Sequence, residues 1–130
     1  MTARTAACRC GAVTLVCEGE PIRVSVCHCL DCQRRSGSAF AAQARWPEAQ
    51  VTITGEPREW EYAGHSGWAR FAFCATCGSP THFRTESFPD VIAVPVGAFA
   101  DPSFTAPRYS VWEERKHAWL DVTGNVEHHQ

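Results

Sequence analysis

Cys27-His28-Cys29-Leu30-Asp31-Cys32 carries three thiols within six residues and runs straight into Gln33-Arg34-Arg35-Ser36-Gly37. Cys8/Cys10 stands before this knot and Cys74/Cys77 after it, so seven of the eight cysteines fall in three clusters and only Cys17 is alone. Thiols one or two residues apart are too close in sequence to cross-link distant parts of a chain, and thiols bunched this tightly serve a metal rather than disulfides. The start, Met1 to Cys8, holds no apolar segment of signal-peptide length. The expected compartment is therefore the cytoplasm, where thiols stay reduced.

Zinc held by four thiolates is a closed structural site, whereas three protein ligands leave a position open for chemistry. Cys8, Cys10, Cys74 and Cys77 make one complete four-thiolate set, whose binding is coupled to folding. Cys27, Cys29 and Cys32 then remain for a second, catalytic metal. Three thiolates on Zn²⁺ sum to a charge of about −1 and make a weak Lewis acid toward water, better suited to holding a soft substrate thiol in its nucleophilic form. Arg34 or Arg35 could offset that charge or grip a substrate carboxylate in bidentate fashion. Other ligand sets stay open: His28 could replace a cysteine, and His65, His82 or His117 could supply a fourth ligand. An iron–sulfur cluster is disfavoured because Cys-x-Cys is not a familiar ferredoxin spacing. Cys17, on the apolar side of an alternating stretch, reads as packing.

A chain of 130 residues is one domain with one core. Its net charge of −2, with no run of lysine or arginine, counts against a nucleic-acid partner. No stretch approaches the roughly 20 apolar residues that cross a bilayer, so no membrane partner is expected either.

The elements that must position these thiols are short and extended. Val13, Leu15 and Cys17 alternate with Thr14, Val16 and Glu18 between Ala12 and Gly19, and Pro21 to Val26 delivers the chain to the knot. Asp31 to Gly37 reads as one helical turn or a tight loop, ended by Gly37. Further strands are expected over Ser38–Trp46, Val51–Gly55, Ser79–Arg84, Val91–Val96 and Tyr109–Trp112, with Pro95 in the fourth marking an edge or bulge. Arg58–Tyr62 should pair with Trp68–Phe73 through a turn at Ala63 to Gly67. Glu113–Leu120 is open between turn and helix. The whole is a mainly β domain over 1–123, with a flexible C-terminal tail at 124–130 that contains His128-His129.

With these residues placed, the chain resembles the GFA family, named for glutathione-dependent formaldehyde-activating enzyme, which also includes centromere protein V. The motifs are Cys8-Arg9-Cys10-Gly11-Ala12-Val13, the knot Cys27 to Cys32 with Arg34-Arg35-Ser36-Gly37, and Phe73-Cys74-Ala75-Thr76-Cys77-Gly78-Ser79, spanning about Cys8 to Val122. The resemblance implies a β-tent type fold of stacked, coiled antiparallel sheets fastened by structural zinc. It implies the same ligand partition, with Cys27, Cys29 and Cys32 at the catalytic metal. It implies a carbon–sulfur lyase-type activity, the joining of formaldehyde to glutathione to give S-hydroxymethylglutathione. The basic extensions of centromere protein V are absent, so a microtubule or chromatin role does not carry over. The expected function is thus a zinc enzyme acting on a small thiol such as glutathione or on a thiol–aldehyde adduct, with Ser36 or Ser38 hydrogen-bonding the developing alkoxide. A non-catalytic zinc-stabilised binding module and a thiol redox-responsive protein are the competing readings.

Overall fold

A computed structural model describes residues 2–64 and 66–130; His65, a candidate ligand at the centre of an expected turn, lies outside the described residues. The strands are β1 (Ala3–Ala7), β2 (Thr14–Glu18), β3 (Arg23–Cys27), β4 (Ala41–Pro47), β5 (Val51–Thr54), β6 (Arg58–Gly64), β7 (Gly67–Phe73), β8 (Pro80–Thr85), β9 (Phe88–Pro95), β10 (Tyr109–Val111) and β11 (Glu127–His128). Among the described residues the single α-helix, α1, spans Leu30–Ser36. Among the described residues no helix is long and apolar enough to cross a membrane.

Two sheets result, a small one in the order β1-β2-β5 and a large one in the order β11-β10-β3-β4-β9-β8-β7-β6. Alternate residues of a strand face opposite sides of its sheet, and the two sheets stack through their apolar faces. Ala6, Leu15 and Cys17 from the small sheet meet Val24, Ala44, Trp46, Ile92 and Val94 from the large one in a single core. Trp46 is wholly buried, packs against Phe99 at 5.5 Å between ring centroids, and donates its indole N–H to the Gly19 carbonyl at 3.0 Å. The fold is mainly β with stacked sheets, as expected.

The expected hairpin of Arg58–Tyr62 with Trp68–Phe73 forms antiparallel, pairing Tyr62 with Ala69 and Trp60 with Phe71. Three features differ from the sequence reading. β1 has no counterpart in it, because Ala-Arg-Thr-Ala-Ala shows no contrast of large apolar and polar side chains; pairing with β2 imposes the strand. β10 pairs parallel with both β3 and β11, so one edge of the large sheet departs from an antiparallel pattern. Finally, the segment expected as a flexible tail is tied down. β11 lies beside β10, the His129 amide donates to the Ser110 carbonyl at 2.8 Å, and His128 Nδ1 is 2.7 Å from Glu113 Oε2. Between them, Glu113–Arg115 forms a 3-10 turn.

Candidate metal centres

Cys8 and Cys10 follow β1, while Cys74 and Cys77 follow β7, and each pair sits in a turn closed by glycine. Gly11 and Gly78 take positive φ values of 83° and 78°, the left-handed region that a β-carbon penalises. Their N–H groups donate to the carbonyls of Cys8 (3.1 Å) and Cys74 (2.8 Å), curling both turns so that the thiols converge. The four sulfurs lie within 4.8 Å of one another. Cys8–Cys10 and Cys10–Cys74 sulfur pairs are both 3.7 Å apart. Zinc–sulfur bonds of about 2.3 Å in a tetrahedron separate the sulfurs by about 3.8 Å, so this set fits zinc. The surroundings are uneven: the Val13 N–H donates to Cys8 Sγ at 3.2 Å and lowers that thiol's pKa, whereas at Cys10 the Ala12 N–H is outweighed by burial and the neighbouring thiols, which push it up to about 11. The Ser79 hydroxyl, 3.3 Å from Cys77 Sγ, helps hold Cys77 at about 5.

The second cluster is assembled by the passage from strand to helix. Cys27 is the last residue of β3, Cys29 is the N-cap of α1, and Cys32 lies in its first turn. The Cys32 N–H donates to Cys29 Sγ at 3.3 Å, so the cap is itself one of the thiols. Gly37 ends the helix in the left-handed conformation at φ 71°, the role its sequence position suggested. The three sulfurs lie within 4.8 Å of one another, and among the described residues no histidine or carboxylate joins them. Hydrogen bonding from Cys27, then from Cys29, together with the Arg35 guanidinium, holds Cys32 at about 5. The same coupling to Cys32, with burial, pushes Cys27 up, and burial raises Cys29. Of the three, only Cys32 is favoured as a thiolate, so a metal bound by all three would displace the protons of Cys27 and Cys29.

The other candidate ligands lie elsewhere. His28 points away from its cysteine neighbours; it is fully buried, with Nε2 2.9 Å from Ser110 Oγ. His117 is bound to Gln33 at 2.8 Å, and Gln33 in turn donates to the carbonyls of His28 and Arg115. Cys17 sits in the core away from both clusters.

The two arginines after the knot part company. Arg35, one helical turn after Cys32, points its Nη2 at Cys32 Sγ (3.9 Å) and spreads over the rings of Phe83 (4.8 Å) and Phe71 (5.1 Å). It forms one wall of a cavity of about 190 Å³ that Trp60, Phe71, Phe83 and His82 also line. Arg34 is exposed and lines a separate, wider depression with Leu30, Ser38 and His117. Ser36 uses its hydroxyl within the turn, accepting from Ser38 N–H at 3.1 Å and donating toward the Phe40 carbonyl at 3.3 Å.

The sequence reading missed further residues on this face. Counting back from Cys27 by twos along β3 gives Ser25 and Arg23, and their partners on β4 are Gln43 and Arg45. Arg45 Nη1 donates to Ser25 Oγ at 3.2 Å. The signal was present in the period-two pattern, but it becomes useful only once the β3–β4 register is known.

His82 carries a pH prediction. It is buried, its Nδ1 is 3.0 Å from Thr81 Oγ1, and burial followed by the charge of Arg84 lowers it to about 4. Below about 6.5 the unfolded chain binds a proton here that the folded chain refuses, so stability is full above that pH and falls as pH drops toward 4. The expected loss from this residue is about 2 kcal/mol between pH 7 and pH 5. Urea unfolding of wild type and His82→Gln at the two pH values checks it: the wild type should lose more. Equal losses in both proteins would refute it.

Comparison with known proteins supplies the relatives. The family model described as glutathione-dependent formaldehyde-activating enzyme (GFA) matches residues 3–115. A crystal structure of a Rhodobacter sphaeroides protein is similar at 27% identity and a TM-score of 0.57, over 72% of this chain and 85% of that one. No curated protein matches. The matched span takes in every cysteine of both clusters, and this chain belongs to the GFA family.

Proposed function

We propose that the protein is a zinc-dependent carbon–sulfur lyase-type enzyme that joins a small thiol, glutathione in the sense of the family's name, to formaldehyde, or splits the adduct. The observation that carries this reading is the trio itself: three converging thiols with no fourth protein ligand among the described residues. Family membership supports it by suggesting a glutathione-related, formaldehyde-activating or lyase-like role. Cys8, Cys10, Cys74 and Cys77 would hold a structural zinc, and Cys27, Cys29 and Cys32 a catalytic one. Zinc bound by the trio would supply the positive charge that keeps a substrate thiol ionised at neutral pH.

In the reaction the substrate sulfur forms a bond to the carbonyl carbon. The carbonyl π pair moves onto oxygen, and that oxygen takes up a proton equivalent to the one the thiol gave up, leaving S–CH₂–OH. Arg35 lies where it can stabilise negative charge on sulfur, because its guanidinium already faces Cys32 Sγ. Phe71, Phe83 and Trp60 give the neighbouring cavity an aromatic wall. Ser36 is committed to its turn, so the sequence-based assignment of the alkoxide contact to Ser36 is dropped.

The test is metal content followed by exchange. Protein purified in reductant without chelator should carry two zinc ions per chain. It should also speed equilibration of formaldehyde, glutathione and S-hydroxymethylglutathione, followed by exchange NMR. A two-zinc protein that leaves the exchange rate unchanged would favour the binding-module reading.

A further inference from the structure

β6, β7 and β8 each place one ring in a row across the large sheet. Trp60 pairs with Phe71 and Phe71 with Phe83, so the three side chains project from the same face. Their centroids are 5.3 and 5.5 Å apart, the spacing of packed aromatic pairs. Arg35 closes the row from α1, its guanidinium over Phe83 at 4.8 Å and Phe71 at 5.1 Å. Pro80 and Pro95 help to enclose the cavity of about 190 Å³ beside these rings. Trp60 lies on the edge strand and is 49% exposed, so solvent reaches the cavity past its ring.

Size and charge decide what fits there. An apolar cavity of about 150 Å³ holds one benzene ring. Formaldehyde, one carbon and one oxygen, would leave most of this space to water, which apolar walls hold poorly; an apolar group that displaces such water gains affinity. No carboxylate lines the cavity and His82 is neutral above about 4, so Arg35 supplies the only charge among the lining residues. A cationic ligand would meet that charge over the very rings that could attract it, which excludes the usual occupant of an aromatic box. Arg35 turns Nη2 toward Cys32 Sγ at 3.9 Å, and among the described residues no oxygen accepts from its guanidinium. A guanidinium has five N–H groups in a planar fork, so one edge faces sulfur while others are left for an oxygen. A molecule with its oxygen on Arg35 and its apolar part on the rings has the carbon that bears the oxygen at the junction of cavity and thiol cluster.

We infer that this cavity receives the substituent of a larger carbonyl substrate, an aromatic aldehyde of benzaldehyde's size, with its oxygen toward Arg35 and its ring against Trp60, Phe71 and Phe83. The inference rests on the reading of Cys27, Cys29 and Cys32 as the place where the thiol is bound. The step is the same addition as with formaldehyde. A sulfur–carbon bond forms, the carbonyl π pair moves onto oxygen, and that oxygen gains a proton equivalent to the one the thiol lost. The product is S–CH(OH)–aryl, with no oxidant or reductant consumed.

Two measurements on the zinc-loaded protein test it. In the first, adduct exchange with glutathione is followed by exchange NMR, as acceleration over the uncatalysed rate, for formaldehyde, acetaldehyde, benzaldehyde and 1-naphthaldehyde. Benzaldehyde should exceed acetaldehyde by about tenfold or more, and 1-naphthaldehyde, with a second ring, should fall below benzaldehyde. Trp60→Ala should cut the benzaldehyde-to-acetaldehyde ratio by about threefold or more, and Trp60→Phe should keep most of it. Zinc content and melting temperature report whether each variant is folded, and Phe71→Leu serves if Trp60→Ala is not. In the second, benzyl alcohol, which has no carbonyl to react, should shift the Trp60 indole N–H resonance, identified by its loss in Trp60→Phe. Accelerated formaldehyde exchange with benzaldehyde no better than acetaldehyde overturns the cavity assignment and leaves the enzyme reading standing. A ratio that survives in folded Trp60→Ala overturns it too. If no aldehyde is accelerated, the enzyme reading falls; the benzyl alcohol titration then decides the cavity by itself, a shift sustaining it as an aromatic-ring site and no shift overturning it.

Discussion

Cys74→Ser should leave a chain that is unfolded at room temperature, whereas Cys17→Ala should fold and melt a few degrees lower. Both sulfurs are buried, Cys74 at 1% and Cys17 at 0% exposure, so burial alone predicts similar losses. The difference lies in what each sulfur holds. Cys74 is one of four converging thiols that tie the turn after β1 to the turn after β7, across two sheets. Structural zinc contributes about 10–16 kcal/mol in small zinc domains, against a total folding stability of about 5–15 kcal/mol. A site cut to three thiols loses much of that and leaves buried polar sulfur behind. Cys17 packs among Leu15, Trp46 and Val94 and loses only contacts, about 1–2 kcal/mol. Circular dichroism on heating, with zinc release followed by a chromogenic chelator, distinguishes the two. Equal melting temperatures for the two variants would show that the four-thiolate set is not what fastens the sheets.

Cys32→Ser should do the reverse, leaving the fold and removing the chemistry. α1 buries none of its own residues, so loosening its first turn gives up little core. The variant should melt within a few degrees of wild type and carry one zinc per chain instead of two. Its acceleration of adduct exchange should fall by about a hundredfold or more, the scale expected when a reacting group loses its position. Arg35→Gln should show an intermediate loss with two zinc ions kept, because it removes a charge near sulfur rather than a ligand. Cys32→Ser with full activity would mean the central trio is not where the reaction occurs. Loss of both zinc ions would mean the two clusters are coupled through the fold.

The two thiol clusters were legible in the sequence because a turn that brings close pairs together is local. Cys-x-Cys-Gly and Cys-x-x-Cys-Gly carry their own turn chemistry, and Gly11 and Gly78 adopt the positive φ those turns need. The apolar alternation of Val13, Leu15 and Cys17 likewise fixed a strand and its inward face, since period two is a property of the strand alone. What the sequence could not fix was which residues from distant strands share a face with Cys27. Ser25, Gln43, Arg23 and Arg45 come together through the β3–β4 register, and a slip of one residue would turn Gln43 and Arg45 to the opposite face. Arg34 and Arg35 are equivalent as neighbours in a chain, but a helix directs successive residues about 100° apart, so only Arg35 meets Cys32. β1 and β11 depended wholly on their partners, because neither has an apolar pattern of its own and each exists through hydrogen bonds to a strand already in place. Chelating turns and strand faces are local and readable from composition and spacing; the charge around the thiols is set by pairing across strands, and only the tertiary structure decided it.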